Sequence, residues 1–183
     1  MSGLSFAPSI ETQRLVLRAH SLNDYDACAT MWSDPGVTRF IGGKPATLEE
    51  SWSRLLRYAG HWTLLGFGYW VVEEKASGQF AGEVGFAEVK REIKPSIAGM
   101  PECGWAICPA AQGQGFASEA VAGALRWADK HFSSRLTTCL ISPDNLPSLR
   151  VAEKCGYQEF IRGSYKGAPT IQYRRTGAAR MAP

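Results

Sequence analysis

One nine-residue stretch constrains this chain more than any other: Gln112 to Ala120, reading Gln-Gly-Gln-Gly-Phe-Ala-Ser-Glu-Ala. A strand-like run, Glu102 to Cys108, precedes it, and a helix-like run follows as far as about Phe132. A glycine-rich turn from strand into helix leaves main-chain N–H groups unpaired, here those of Gln114, Gly115, Phe116 and Ala117, and the helix macrodipole adds partial positive charge. The product is an anion site suited to a phosphate or pyrophosphate. Gly113 and Gly115 let a ligand approach the main chain with no Cβ in the way. Neither common phosphate signature fits: no Gly-Lys-Ser/Thr follows at Walker spacing, and Ser118 stands where a dinucleotide fingerprint needs its third small residue. The pattern present is Gln-x-x-Gly-x-Ala, at Gln112, Gly115 and Ala117. The plain alternative is a glycine-rich turn that ends in an ordinary helix cap.

Around this stretch the residues lay out one domain of alternating elements, with a loose leader at 1–9, a body at 10–176 and a tail at 177–183. Arg14 to Ala19 alternates as a strand does. Asn23 can cap a helix running to about Trp32, which Asp34-Pro35 ends. Thr47-Leu-Glu-Glu50 has capping-box spacing and opens a helix to about His61, with Trp52, Leu55, Leu56 and Ala59 as its apolar stripe. Tyr69 to Glu74 and Gln79 to Glu88 read as a hairpin, and Arg91 to Gly99 as a polar loop. The helix from about Gln114 carries Ala120, Val121, Ala124, Leu125, Ala128 and Phe132 on one face. Arg135 to Ile141 is a buried strand. A helix begins at Pro147 and ends at Cys155-Gly156; Tyr157 to Arg162 and Thr170 to Arg175 are the last strands. Strands mixed with helices on both sides predict an α+β fold in three layers, α/β/α.

At 183 residues, 45% apolar and 20% charged, the chain has the composition of an ordinary globular domain. A net charge of +3 with no Lys/Arg run argues against nucleic-acid binding and suits an anionic ligand. The five cysteines are odd in number and lack metal-ligand spacing, which points to reduced structural thiols in a cytoplasmic protein with no metal. No segment reads as a signal peptide or a membrane span.

Three ordered segments together resemble the GNAT superfamily of acyl-CoA N-acyltransferases, in its ribosomal-protein-N-terminal-acetyltransferase-like branch. They are the loop at Gln112; Asn145-Leu-Pro-Ser148 with Glu153-Lys-Cys-Gly156-Tyr157; and Glu11-Thr-Gln-Arg14-Leu-Val-Leu17-Arg18 with Asp24 and Asp34-Pro35. The resemblance covers about residues 10 to 176. It implies a mostly antiparallel sheet splayed in the middle and acetyl-CoA as cosubstrate. It assigns the pyrophosphate to Gln112, Gly113, Gln114, Gly115, Phe116, Ala117 and Ser118. The pantetheine arm falls to the main chain of Ala106, Ile107 and Cys108, joined by Asn145 and Ser148. Asn145 can equally be a helix N-cap, and Ser148 can satisfy local backbone. The family's acceptor pocket maps onto Arg39, Phe40, Ile41 and Tyr165, beside Gly42 and Lys166. Dimers are common among relatives, and the resemblance implies a monomer or homodimer here.

The reaction the resemblance implies is attack of a neutral amine on a thioester. Two strand carboxylates are candidate bases. Glu83 and Glu102 lie on strands expected to be neighbours, each followed at alternate positions by small residues (Gly85, Ala87; Gly104, Ala106), which leaves room for a ligand. Two carboxylates sharing one cleft would raise one pKa. Each can equally be a salt-bridged or solvated strand residue. The tyrosine that many relatives use as general acid is Ala152 here, and Ser148 is the substitute the branch suggests. Three acceptor readings remain open: a protein N-terminal α-amine, a small-molecule amine, or no turnover in an acyl-CoA sensor.

Overall fold

The computed structural model describes residues 7–134 and 136–177. The expected leader and tail therefore lie mostly outside the described residues, as does Arg135. Ala7 to Ser9 are not loose, however: Ala7 packs on the core, and the Pro8 carbonyl accepts the Trp70 indole N–H at 2.8 Å.

The chain runs β1 (Ile10–Glu11), β2 (Leu15–Arg18), α1 (Tyr25–Ser33), α2 (Pro35–Thr38), α3 (Leu48–Leu65), β3 (Tyr69–Glu74), β4 (Phe80–Ala87), β5 (Glu102–Ile107), α4 (Phe116–His131), β6 (Leu136–Ile141), α5 (Leu146–Lys154), β7 (Gln158–Tyr165) and β8 (Ala168–Thr176). One eight-stranded sheet has the order β1-β2-β3-β4-β5-β6-β8-β7. Every neighbour is antiparallel except β5 and β6, which are parallel and pair only at Glu102 and Thr138. Beyond that bridge the two strands carry no ladder, so the sheet splays at its centre.

Helices α4 and α5 cover one face. The six-residue stripe expected on α4 is buried throughout, against Leu15, Leu17, Val84 and Phe86. Helices α1, α2 and α3 cover the other face, where Cys28, Met31, Trp32, Val37 and Leu55 pack with Ala106. The capping box of α3 is formed: Thr47 Oγ1 accepts the Glu50 N–H at 3.1 Å, and Glu50 accepts the Thr47 N–H at 2.8 Å.

Three local expectations need correction, and one is borne out and extended. The α3 stripe is turned by about one residue: Ser51, Leu55, Tyr58 and Trp62 are buried, while Trp52 and Leu56 are 40% and 49% exposed. Asn23 caps nothing; Ser21 and Asp24 close a 3-10 turn over Leu22–Asp24, where Asp24 Oδ2 accepts the Ser21 N–H at 2.7 Å. Asp34 ends α1 as expected, and it also starts α2, its Oδ1 accepting the Val37 N–H at 3.0 Å. The last two strands run further than expected and meet in a two-residue turn at Lys166 and Gly167, both at positive φ (50° and 81°), the arrangement that suits a tight hairpin.

Candidate active site

The loop before α4 has the conformation its glycines predict. Gly113 and Gly115 take φ of 76° and 81°, and Gly115 caps α4 without any side-chain bond. The first main-chain bond of the helix is from Glu119 N–H to the Gly115 carbonyl, at 3.2 Å. The N–H groups of Gln114, Gly115, Phe116, Ala117 and Ser118 have no acceptor among the described residues. Gln112 closes the loop as expected: its Nε2 donates to the Ile107 carbonyl at 2.9 Å. The N-terminal motif holds the loop from the other side. Glu119 accepts Thr12 Oγ1 at 2.6 Å and the Arg14 N–H and Nε at 2.7 Å each, while Arg14 Nη1 donates to the Gln114 carbonyl at 2.9 Å. Burial pushes the Glu119 carboxyl up, but these hydrogen bonds and the guanidinium outweigh it and hold it below the usual range.

The split in the sheet offers main chain to a ligand, though not at all the residues expected. The Cys108 N–H donates to the Ala81 carbonyl at 2.9 Å. Antiparallel pairing alternates, so Ala106 also spends its main-chain groups on β4, while Trp105 and Ile107 direct theirs toward the gap. Of the three residues expected along the arm, Ala106 and Cys108 thus turn their N–H groups to β4 and Ile107 turns its own to the gap; Trp105, outside the expected set, does the same.

A cavity of about 590 Å³ opens on this gap. The expected acceptor residues Arg39, Phe40, Ile41 and Tyr165 line it, together with Glu102, Asn145 and Ser148. Asn145 is a helix cap, its Oδ1 accepting the Ser148 N–H at 3.2 Å. The Ser148 hydroxyl has no hydrogen-bond partner among the described residues, so it is not consumed by local backbone. Glu102 is held by Arg91 through both carboxylate oxygens, with Nη2 to Oε1 at 2.7 Å. The same guanidinium lies 5.1 Å from the centre of the Tyr165 ring, so the β7–β8 hairpin closes over the pair.

Glu83 is a different case, and the shared-cleft expectation fails. Glu83 opposes Ala106 and Glu102 opposes Ala87, which places the two about 13 Å apart along the strands at about 3.3 Å per residue. Glu83 is 1% exposed and does not line this cavity; it accepts Trp32 Nε1 at 2.9 Å and the Tyr58 hydroxyl at 3.0 Å, with His20 Nε2 at 3.2 Å. Burial pushes its carboxyl up, yet these bonds and the His20 charge hold it below the usual range, opposite to what two repelling carboxylates would do. His20, Cys28 and Glu83 place possible metal-ligand atoms within 4.8 Å of one another, but hydrogen bonds already satisfy this carboxylate and burial keeps the Cys28 thiol protonated. Burial likewise pushes Cys103 up to about 12 and Cys108 up to about 11, so neither is a nucleophile at neutral pH.

Tyr69, on β3, also lines the cavity. Its ring stacks on Tyr58 with centroids 4.6 Å apart, and its hydroxyl fills the space a Cβ at Gly104 would need. Burial raises its pKa, which keeps it a proton donor. The signal for it was Gly104 itself, a strand glycine over which a neighbouring side chain can lie.

Residues 14–158 match the family model described as an acetyltransferase (GNAT) domain. The chain belongs to the GNAT acetyltransferase family. Its GNAT fold is shared by a Bordetella pertussis protein named for the GnaT acetyltransferase family, with a TM-score of 0.81 and 30% identity over 92% of this chain and 99% of that one. A sequence relative, the "Uncharacterized N-acetyltransferase p20" of Bacillus licheniformis, is 26% identical over 152 residues, 82% of this chain and 83% of the relative. RimL, a ribosomal L7/L12 α-N-protein acetyltransferase solved with coenzyme A, shares the fold at a TM-score of 0.76 and 16% identity, over 93% of this chain and 98% of that one. This GNAT protein is an acetyl-CoA-dependent N-acetyltransferase. Among its described residues, no helix is long and apolar enough to cross a membrane.

Proposed function

We propose that this acetyltransferase acts on a protein N-terminal α-amine, by direct attack on acetyl-CoA in a ternary complex. One observation carries the reading: Glu102 is the only carboxylate among the cavity's described lining residues, and both its oxygens already accept Arg91 N–H groups. Such a site suits an amine that needs little help in losing its proton. About a tenth to a sixth of a peptide α-amine is neutral at pH 7, against about one lysine amine in a few thousand.

The geometry supports the following roles. The unpaired N–H groups from Gln114 to Ser118 hold the pyrophosphate. The pantetheine arm lies along the gap as an added strand, against Trp105 and Ile107. The Ile107 N–H faces the developing oxyanion. Glu102 accepts an N–H of the incoming amine through remaining lone pairs. Ser148 and Tyr69 offer hydroxyl protons to the leaving thiolate in place of the tyrosine replaced by Ala152. A CoA thiolate leaves well, so Ser148→Ala and Tyr69→Phe are each expected to cost a few-fold in kcat and about tenfold together, below the usual span of general acid catalysis. The double variant in steady-state assays checks this. The free thiols, three of them buried, support a cytoplasmic setting.

Solved neighbours of this fold also include a spermidine N-acetyltransferase. The cavity's excess of cations over carboxylates disfavours a polyamine here. The test is thiol release from acetyl-CoA across N-terminal peptides and small amines. Peptide-dependent turnover that persists when lysine side chains are blocked is expected; turnover with small amines alone would move the enzyme to metabolites or drugs.

A further inference from the structure

Helix α3 sends a second stripe into the cavity beside its buried one: Arg54, Arg57 and His61, flanking the buried Tyr58 at helical spacing. With Arg39 and Lys166, this places four cationic side chains on the wall, and no carboxylate of the described residues lies within 4.0 Å of any of them. Arg54 is stacked 3.7 Å from the centre of the Trp32 ring, and its Nε is buried without a hydrogen-bond partner among the described residues, as is Nε2 of His61. Arg54 and Arg57 also line a second cavity of about 370 Å³, which shares Ile41 and Gly42 with the first. Glu49 and Glu50 lie there, but Glu50 is held by Lys44 at 3.4 Å and by the Thr47 N–H at 2.8 Å.

We propose that the acceptor is anionic next to its reacting amine: carboxylates on the residues that follow the N-terminal one are received by Arg54 and Arg57, while the α-amine reaches the gap between β5 and β6. This rests on the protein-N-terminal reading above. Guanidinium groups fixed on a helix and an aromatic ring match planar carboxylates in paired hydrogen bonds. A cleft lined by one sign of charge draws in the opposite sign. The same positive wall disfavours a protonated amine and so favours the neutral, reactive form. Two cavities joined at Arg54 and Arg57 suit an extended chain, whose first residue sits in the larger one and whose next residues pass the arginines.

The experiment compares kcat/KM on peptides beginning Ser-Glu-Glu, Ser-Gln-Gln and Ser-Arg-Arg, and on free glutamate and O-phosphoserine, for the wild type, Arg57→Gln and Arg57→Glu. Arg57 is exposed, so its replacement leaves the fold intact. Ser-Glu-Glu is expected to exceed Ser-Gln-Gln by about tenfold or more, through KM, with the gap closing in high salt. Arg57→Gln should shrink the preference, and Arg57→Glu should shift it toward Ser-Arg-Arg. Equal rates on the Glu and Gln peptides, or a wild-type preference for Ser-Arg-Arg, would overturn the proposal. Turnover confined to the small anionic amines, and lost in Arg57→Glu, would uphold anion recognition while sinking the protein-N-terminal reading.

Discussion

Replacing Glu83 by alanine is expected to destabilise the protein by about 3–5 kcal/mol, because it strands buried polar groups rather than removing an exposed charge. Trp32 Nε1 and the Tyr58 hydroxyl both donate to this carboxylate, and His20 lies against it. Without it those donors are buried with no acceptor. For a chain of this length the melting temperature should fall by about 10 °C. Glu83→Gln, which keeps an acceptor oxygen, should lose less. Urea and thermal unfolding of both variants provide the check, and a loss under about 1 kcal/mol would show that water or a rotamer change repairs the site. The pH dependence has a definite sign. The folded carboxyl is held below its ordinary value, so its contribution is complete above the unfolded pKa and is lost as pH falls through the lower folded one. The gap between wild type and Glu83→Ala should therefore shrink below about pH 4.3.

Glu102→Gln is expected to lower kcat/KM about a hundredfold, the lower edge of what a positioned base or acceptor supplies, while acetyl-CoA affinity stays the same. Glu102 sits at the closed end of the gap, opposite Thr138, and the glycine loop proposed to receive the pyrophosphate lies beyond the other end of β5. The substitution also frees Arg91, which adds a cation beside the amine. Steady-state rates with a peptide acceptor, joined to calorimetric titration of acetyl-CoA, separate the two effects. Equal rates would remove Glu102 from the mechanism, and weakened cofactor binding would show that the ion pair shapes the gap instead.

What the sequence displayed well was local. The α4 stripe is six apolar residues at unbroken helical spacing, and every one is buried. Gly113 and Gly115 announced their own conformation, and Thr47 with Glu50 formed the box their spacing required. What it hid was supplied from a distance. The small residues beside Glu83 suggested an open cleft, but Trp32, Tyr58 and His20 arrive from other elements to fill it. On α3 the buried stripe includes Ser51 and the hydroxyl-bearing Tyr58, so apolar residues alone pointed to the neighbouring face, and the cationic stripe went unread. Which main-chain groups of β5 face the gap depends on the pairing phase with β4, set by the Cys108 to Ala81 bond rather than by residue type. The residues expected from resemblance to line the acceptor pocket, Arg39 to Ile41 and Tyr165, lie around one cavity with Glu102 and Ser148.

The clamp between Thr12, Arg14 and Glu119 joins positions more than a hundred residues apart. Such a contact has to close a long loop before it gains anything, and contacts of this kind slow folding. On the ribosome the first strand emerges well before its partner helix exists. The clamp on the glycine loop therefore cannot close until residue 119 has been made and brought back to Thr12 and Arg14.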